Sequence, residues 1–169
     1  MRTAAAVAGL LAAAALAACG SMVPSEAARK ELLPTGKLRA GIGLGASPSA
    51  FQAVRDPATG LPRGVPVDLA YALARRLESP VALVVYADAG AIVAAGPKGE
   101  WDVAFVPEDA ARREVVDFGP AYAEAAVAVP KGKAAALAYA SRFIDEAKDD
   151  GTVRRALDNA GLKNTPVAP

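Results

Sequence analysis

Few side chains in this sequence offer chemistry, and their types narrow it quickly. There is no His among the 169 residues. Relays built on imidazole, such as Ser-His-Asp and Cys-His, are therefore excluded, and most zinc sites lose their usual ligand. No Gly-x-Ser-x-Gly elbow occurs. Glu108/Asp109 and Asp149/Asp150 read as capping and solvated charge rather than as a carboxylate pair for acid–base work. Gly41-x-Gly43-x-x-Ala46 formally fits a dinucleotide fingerprint, but Ser47-Pro48-Ser49 follows where a helix must open, so no cofactor is expected. Other side chains suit recognition. Arg112 carries a planar fork that offers a carboxylate two parallel donors; its alternative is a solvated charge beside Arg113. Asp109 can cap a short helix or accept a ligand's ammonium. Phe51, Asp88 and Pro107 fall in loops that would wall the same crevice, with a buried loop anchor as the alternative for Phe51.

These residues need a scaffold that brings their loops together. Residues 37–43 alternate as a short strand, and a loop rich in Gly, Pro, Ser and Asp runs from Leu44 to Pro66 with a turn signal at Asp56-Pro57-Ala58-Thr59-Gly60. Leu69, Leu73 and Leu77 recur four apart over residues 67–78, which predicts an amphipathic helix. Residues 81–86 are a continuous apolar run, read as a buried strand. A small helix over 89–96, a third strand over 101–106, one or two helical turns over 109–115 and a fourth strand over 123–129 complete the pattern. Strand–helix alternation predicts a parallel sheet with right-handed crossovers. In such sheets the ligand crevice lies beyond the carboxyl ends of the strands. The loops leaving those ends are 43–51, 87–89 and 107–112. Two helices follow over 133–160, and the last residues read as frayed.

Composition bounds the partners. Apolar residues make up 53 % of the chain, but about a quarter of all residues are Ala and only 5 % are aromatic. Lys and Arg number 19 against 18 Asp and Glu, which argues against nucleic acid, whose phosphates require a clustered basic excess. One Cys forms no intrachain disulfide. Residues 1–18 place Arg2 before an apolar run that ends in small residues, the pattern of a secretory signal. Leu16-Ala17-Ala18-Cys19 resembles the lipobox of bacterial lipoproteins, which implies acyl chains on Cys19 and export to the periplasmic side of a bacterial membrane. Gly20 in place of Asp suggests the outer membrane. Residues 19–36 read as a tether, 37–130 as the folded lobe and 131–169 as closing helices and tail.

Several phrases then occur in order. Gly36-Lys37-Leu38-Arg39-Ala40-Gly41 opens the fold. Gly64-Val65-Pro66-Val67-Asp68-Leu69-Ala70 enters the amphipathic helix, which ends Ala74-Arg75-Arg76-Leu77. Gly99-Glu100-Trp101-Asp102-Val103 begins the third strand, and Arg112 precedes Val116-Asp117-Phe118-Gly119-Pro120-Ala121-Tyr122. Over residues 36–130 this resembles the family 3 extracellular solute-binding proteins, the periplasmic amino-acid receptors of ABC importers, and 131–160 resembles their closing helices. The resemblance implies an α/β fold: one lobe of a type II periplasmic-binding-protein-like fold, with a mostly parallel sheet of about four strands, flanking helices and C-terminal helices.

It also implies that Arg112 pairs with the α-carboxylate of a small zwitterionic or anionic solute, that Phe51 occupies a stacking position, and that the partner is an ABC permease. Two departures stand out. Members have two hinged lobes, and here the second is absent, which implies weak binding or a facing homodimer. The Thr near Pro107 and the Gly near Phe105 of the family pattern are also missing. Two other readings are an enzyme of the dehydratase kind on this fold, which would need Glu108 as acid, and a remnant whose function is lost.

Overall fold

The structure, a computed structural model, describes residues 22–169, so Cys19 and the leader lie outside the described residues. The chain runs through α1 (Glu26–Leu32), β1 (Leu38–Leu44), β2 (Gln52–Arg55), β3 (Pro62–Arg63), α2 (Val65–Arg76), β4 (Val81–Tyr86) and α3 (Ala89–Ala95). It continues with β5 (Val103–Val106), α4 (Ala110–Arg113), β6 (Val116–Ala121), β7 (Ala126–Pro130), α5 (Ala134–Asp149) and α6 (Thr152–Asn159).

Seven strands form one sheet, where the sequence predicts about four. It is mixed rather than mostly parallel. β1 pairs in parallel with β4 along Leu38–Gly43, with β5 at Ala40–Gly41 and with β2 at Gly43–Leu44. The pairs β2–β3, β5–β7 and β6–β7 are antiparallel. The loop expected over 44–66 thus contains a hairpin around the anticipated turn, where the Asp56 carboxylate accepts from the amides of Ala58 and Thr59 at 2.9 and 3.0 Å. β6 escaped detection because Gly119 and Pro120 read as breakers. Gly119 is there for packing: a Cβ would lie 2.6 Å from Ser141 Oγ on α5 and 2.8 Å from Val127 Cγ1. β6 and β7 are joined by the turn Tyr122–Ala125.

One face of the sheet is covered by α1, α2, α5 and α6 over the larger core, in which Leu69, Leu73, Phe143 and Ile144 are fully buried. Each such side chain removed from water stabilises the fold by about 1.5–3 kcal/mol. α3 and Trp101 cover the other face, and Trp101 Nε1 donates to Ile92 O at 2.8 Å. Gly41 of β1 lets Ile92 and Trp101 approach, since a Cβ would meet them at 3.1 and 3.3 Å.

The expected tether is not free chain over its whole length. Residues 26–32 form α1, capped by Ser25 Oγ accepting from the Ala28 amide, and Ala28 and Leu32 are buried against the α5 side of the core. Met22 is buried too, and its carbonyl accepts from Tyr139 Oη at 3.1 Å. The tail is likewise held: the Ala168 amide donates to Tyr122 O at 3.0 Å, and Arg154 donates to the carbonyls of Leu162 and Thr165.

Candidate functional site

Register brings the predicted loops to one edge. Gly43 of β1 pairs with Tyr86, the last residue of β4. Gly41 pairs with Ala104, so Val106 ends β5 near the level of Gly43. Ala126 of β7 pairs with Val106, which puts the Tyr122–Ala125 turn at this edge as well. The tips of three parallel strands therefore present the loops that carry Phe51, Asp88 and the Pro107–Arg112 segment together, as the topology rule requires. α3 starts directly beside β1: a Cβ on Gly43 would be in ordinary contact with Asp88 C at 3.5 Å and Ala89 N at 3.6 Å.

Each side chain has a local task as well. Asp109 is the N-cap of α4, with Oδ1 accepting from the Arg112 amide at 2.8 Å. Its Oδ2 lies 3.1 Å from Arg112 Nη1, and that nitrogen donates to Pro107 O at 2.8 Å. The Arg112 guanidinium, 28 % exposed, is folded back onto the tip of β5. Among the described residues, its Nε and Nη2 have no acceptor. Asp88 is the N-cap of α3 and accepts from the Ala91 amide at 2.8 Å while exposed to solvent. Phe51 is partly buried and packs on the larger core. Glu108 is ion-paired with Arg113.

Tyr122 holds this edge together. Its hydroxyl donates to Ala50 O at 2.6 Å and ties the β6–β7 turn to the loop after β1. Its ring meets Phe105 edge-on at 6.0 Å and 80°. Burial pushes its phenol well above the ordinary tyrosine range. Nothing in the local sequence shows the partner of Tyr122, 72 residues away. Among the described residues no group of three or more His, Cys, Asp or Glu is arranged to hold a metal ion.

The three predicted loops therefore meet at the tips of parallel strands in a one-sheet α/β layer. The family model for bacterial extracellular solute-binding proteins, family 3, matches residues 41–161, and the chain belongs to that family. Domain 1 of TmArgBP, solved in its arginine-bound form, superposes with a TM-score of 0.60 at 24 % identity, covering 69 % of this chain and 97 % of that one. The solute receptor for L-cysteine of Neisseria gonorrhoeae gives 0.70 at 17 % identity, over 86 % of this chain and 100 % of its own. The ancestral amino acid-binding protein AncCDT-1, described as a precursor of cyclohexadienyl dehydratase, gives 0.65 at 16 % identity, over 77 % and 97 %. At these identities the likenesses speak for the fold. No curated protein matches.

Proposed function

We propose that this chain is a lipid-anchored, exported receptor lobe that holds a small zwitterionic or anionic solute, an amino acid or similar carboxylate, for an ABC permease. The carrying observation is the Arg112 guanidinium, held at the tip of β5 by Asp109 and Pro107 O with Nε and Nη2 unengaged. A carboxylate docks on those two donors, and Asp88 and Phe51 line the neighbouring loops. That one lobe can serve is supported by the arginine-bound state of the isolated domain 1 of TmArgBP. Affinity is weak here. Asp109 competes electrostatically for the same guanidinium, and among the described residues no facing wall excludes water. Anchoring rests on Cys19 and its lipobox-like surroundings.

Calorimetry of the purified chain with a panel of amino acids and small carboxylates tests the reading. Binding in the millimolar range that Arg112→Ala abolishes is expected. Micromolar affinity in the monomer overturns the one-lobe account, and binding that survives Arg112→Ala removes the site. The dehydratase reading loses support from Glu108, whose carboxylate is taken up by Arg113.

A further inference from the structure

The two edges of the sheet differ in charge and in what is attached to them. α2 ends at Arg76, and the chain then enters β4 at Val81, so the end of α2 marks the edge where the parallel strands start. The Leu38 amide, opening β1, donates to Pro80 O at 2.9 Å on that same edge. Met22 is fixed there. Tyr139 Oη donates to Met22 O at 3.1 Å and lies 3.3 Å from Arg76 O, and Met22 lines a cleft with Arg29, Arg76 and Glu78. Only two residues separate Cys19 from Met22. Three Cα–Cα steps span at most about 11 Å, little more than the roughly 6 Å of headgroups on one side of a bilayer. A lipid on Cys19 thus leaves almost no leash.

The charge agrees. Five of the seven lysines of the chain, Lys30, Lys37, Lys98, Lys131 and Lys133, lie at this edge. Lys98, Lys131 and Lys133 converge with Glu31, Arg39 and Asp102 around a cleft of about 400 Å³. Acidic groups share this edge: Glu26 stays exposed on α1, Glu146 and Asp150 pair with Arg76, and Glu100 lies 4.0 Å from Lys98. Glu31 caps α5 by accepting from the Ala136 amide at 2.8 Å. Asp102 holds Arg39, Asp117 holds Lys131 at 3.2 Å, and Glu100 accepts from Tyr86 Oη; Glu78 stays exposed. The loops at the strand tips carry no lysine.

We propose that the strand-start edge is a docking surface for an anionic phospholipid bilayer, so that the protein lies directly on the membrane with its strand tips and Arg112 facing away. This rests on the reading of Cys19 as lipidated. Juxtamembrane lysines each contribute about 1 kcal/mol at an anionic surface, and the attraction falls off within a Debye length. The short leash holds them within that range. The tips stand about 20 Å farther out, the length of the six-residue β4. A solute is then received from the aqueous side, away from the bilayer.

The test uses the full-length lipidated chain in liposomes of phosphatidylethanolamine and phosphatidylglycerol. A fluorophore is placed through Ser79→Cys at the strand-start edge or through Ala58→Cys in the β2–β3 turn beyond the tips, with nitroxide-labelled headgroups as quencher. Strong quenching at residue 79 and none at residue 58 is the expected result. Lys37→Glu with Lys133→Glu is expected to reduce quenching at residue 79 in anionic liposomes and to leave it unchanged in neutral ones. Equal quenching at both positions, in a chain that floats with the liposomes, overturns the orientation while leaving the lipid anchor standing. Failure to float, with Cys19→Ser behaving identically, overturns the anchor and with it the docking.

Discussion

Arg39 and Asp102 show how a charged pair is tolerated almost out of water. Asp102 Oδ1 receives Arg39 Nη2 at 2.6 Å, and Oδ2 accepts from Arg39 Nε and from the Arg39 amide, both at 3.0 Å. Arg39 Nη1 donates to Gly99 O at 2.7 Å. The hydrogen bond to the Asp102 carboxylate pushes the guanidinium further up from its ordinary value. Asp102→Ala strands three donors, one of them the β1 backbone. Such losses at charged, partly buried groups cost about 2–4 kcal/mol. A lower denaturant midpoint with an unchanged slope is expected, and an unchanged midpoint would show the pair to be ornamental. Arg112 is the contrasting case. It is the same residue type, but its fork is only half engaged: Nη1 is taken by Pro107 O and Asp109, and Nε and Nη2 have no acceptor among the described residues.

At the scale of elements, hydrogen bonds of buried phenols hold both edges of the sheet, Tyr122 at the strand tips and Tyr139 at the strand starts. Tyr122 spans from the β6–β7 turn to the loop after β1, and Tyr139 spans from α5 to the carbonyls of Met22 and Arg76. Burial raises the pKa of both, and burial together with Glu100 raises that of Tyr86 to about 12. A raised folded-state pKa means that the folded protein keeps the proton longer than the unfolded chain. The stability it contributes is complete below the unfolded value near 10 and is lost as pH rises above it. Thermal stability is therefore expected to fall between about pH 10 and 12, by at most ~1.4 kcal/mol per pH unit for one phenol. Tyr122→Phe should make that fall shallower while lowering stability at neutral pH, through the loss of the bond to Ala50 O. A parallel pH profile for the variant would mean that Tyr122 ionises no differently in the two states. The same element scale explains what sequence patterning finds. β4 is legible because six apolar residues in a row are too short for a helix. α2 is legible because its leucines recur four apart. α1 is not, since only Ala28 and Leu32 mark its buried side in a polar stretch, and β6 is disguised by Gly119-Pro120.

For the whole molecule, the question is what faces the strand tips. All seven strands belong to one sheet, and β6 turns straight into β7, so the described residues provide one wall. A second copy with its own tips opposed would supply the other. Light scattering that shows solute-dependent dimers supports that arrangement, and a monomer at every concentration with and without solute discards it. The sequence by itself determined the family and the α/β class, the order of most elements and the loops that carry Arg112, Asp109 and Asp88. These depend on periodicity, caps and turn chemistry written within a few neighbouring residues. Tertiary structure alone decided that half of the Arg112 fork is already taken by Pro107 and Asp109, that Tyr122 reaches Ala50, and that Met22 docks beneath Tyr139 where free tether was expected. The last two contacts join residues 72 and 117 positions apart. The first depends on a rotamer chosen at the strand tip. Such choices follow from how packed surfaces meet, which no local stretch of sequence encodes.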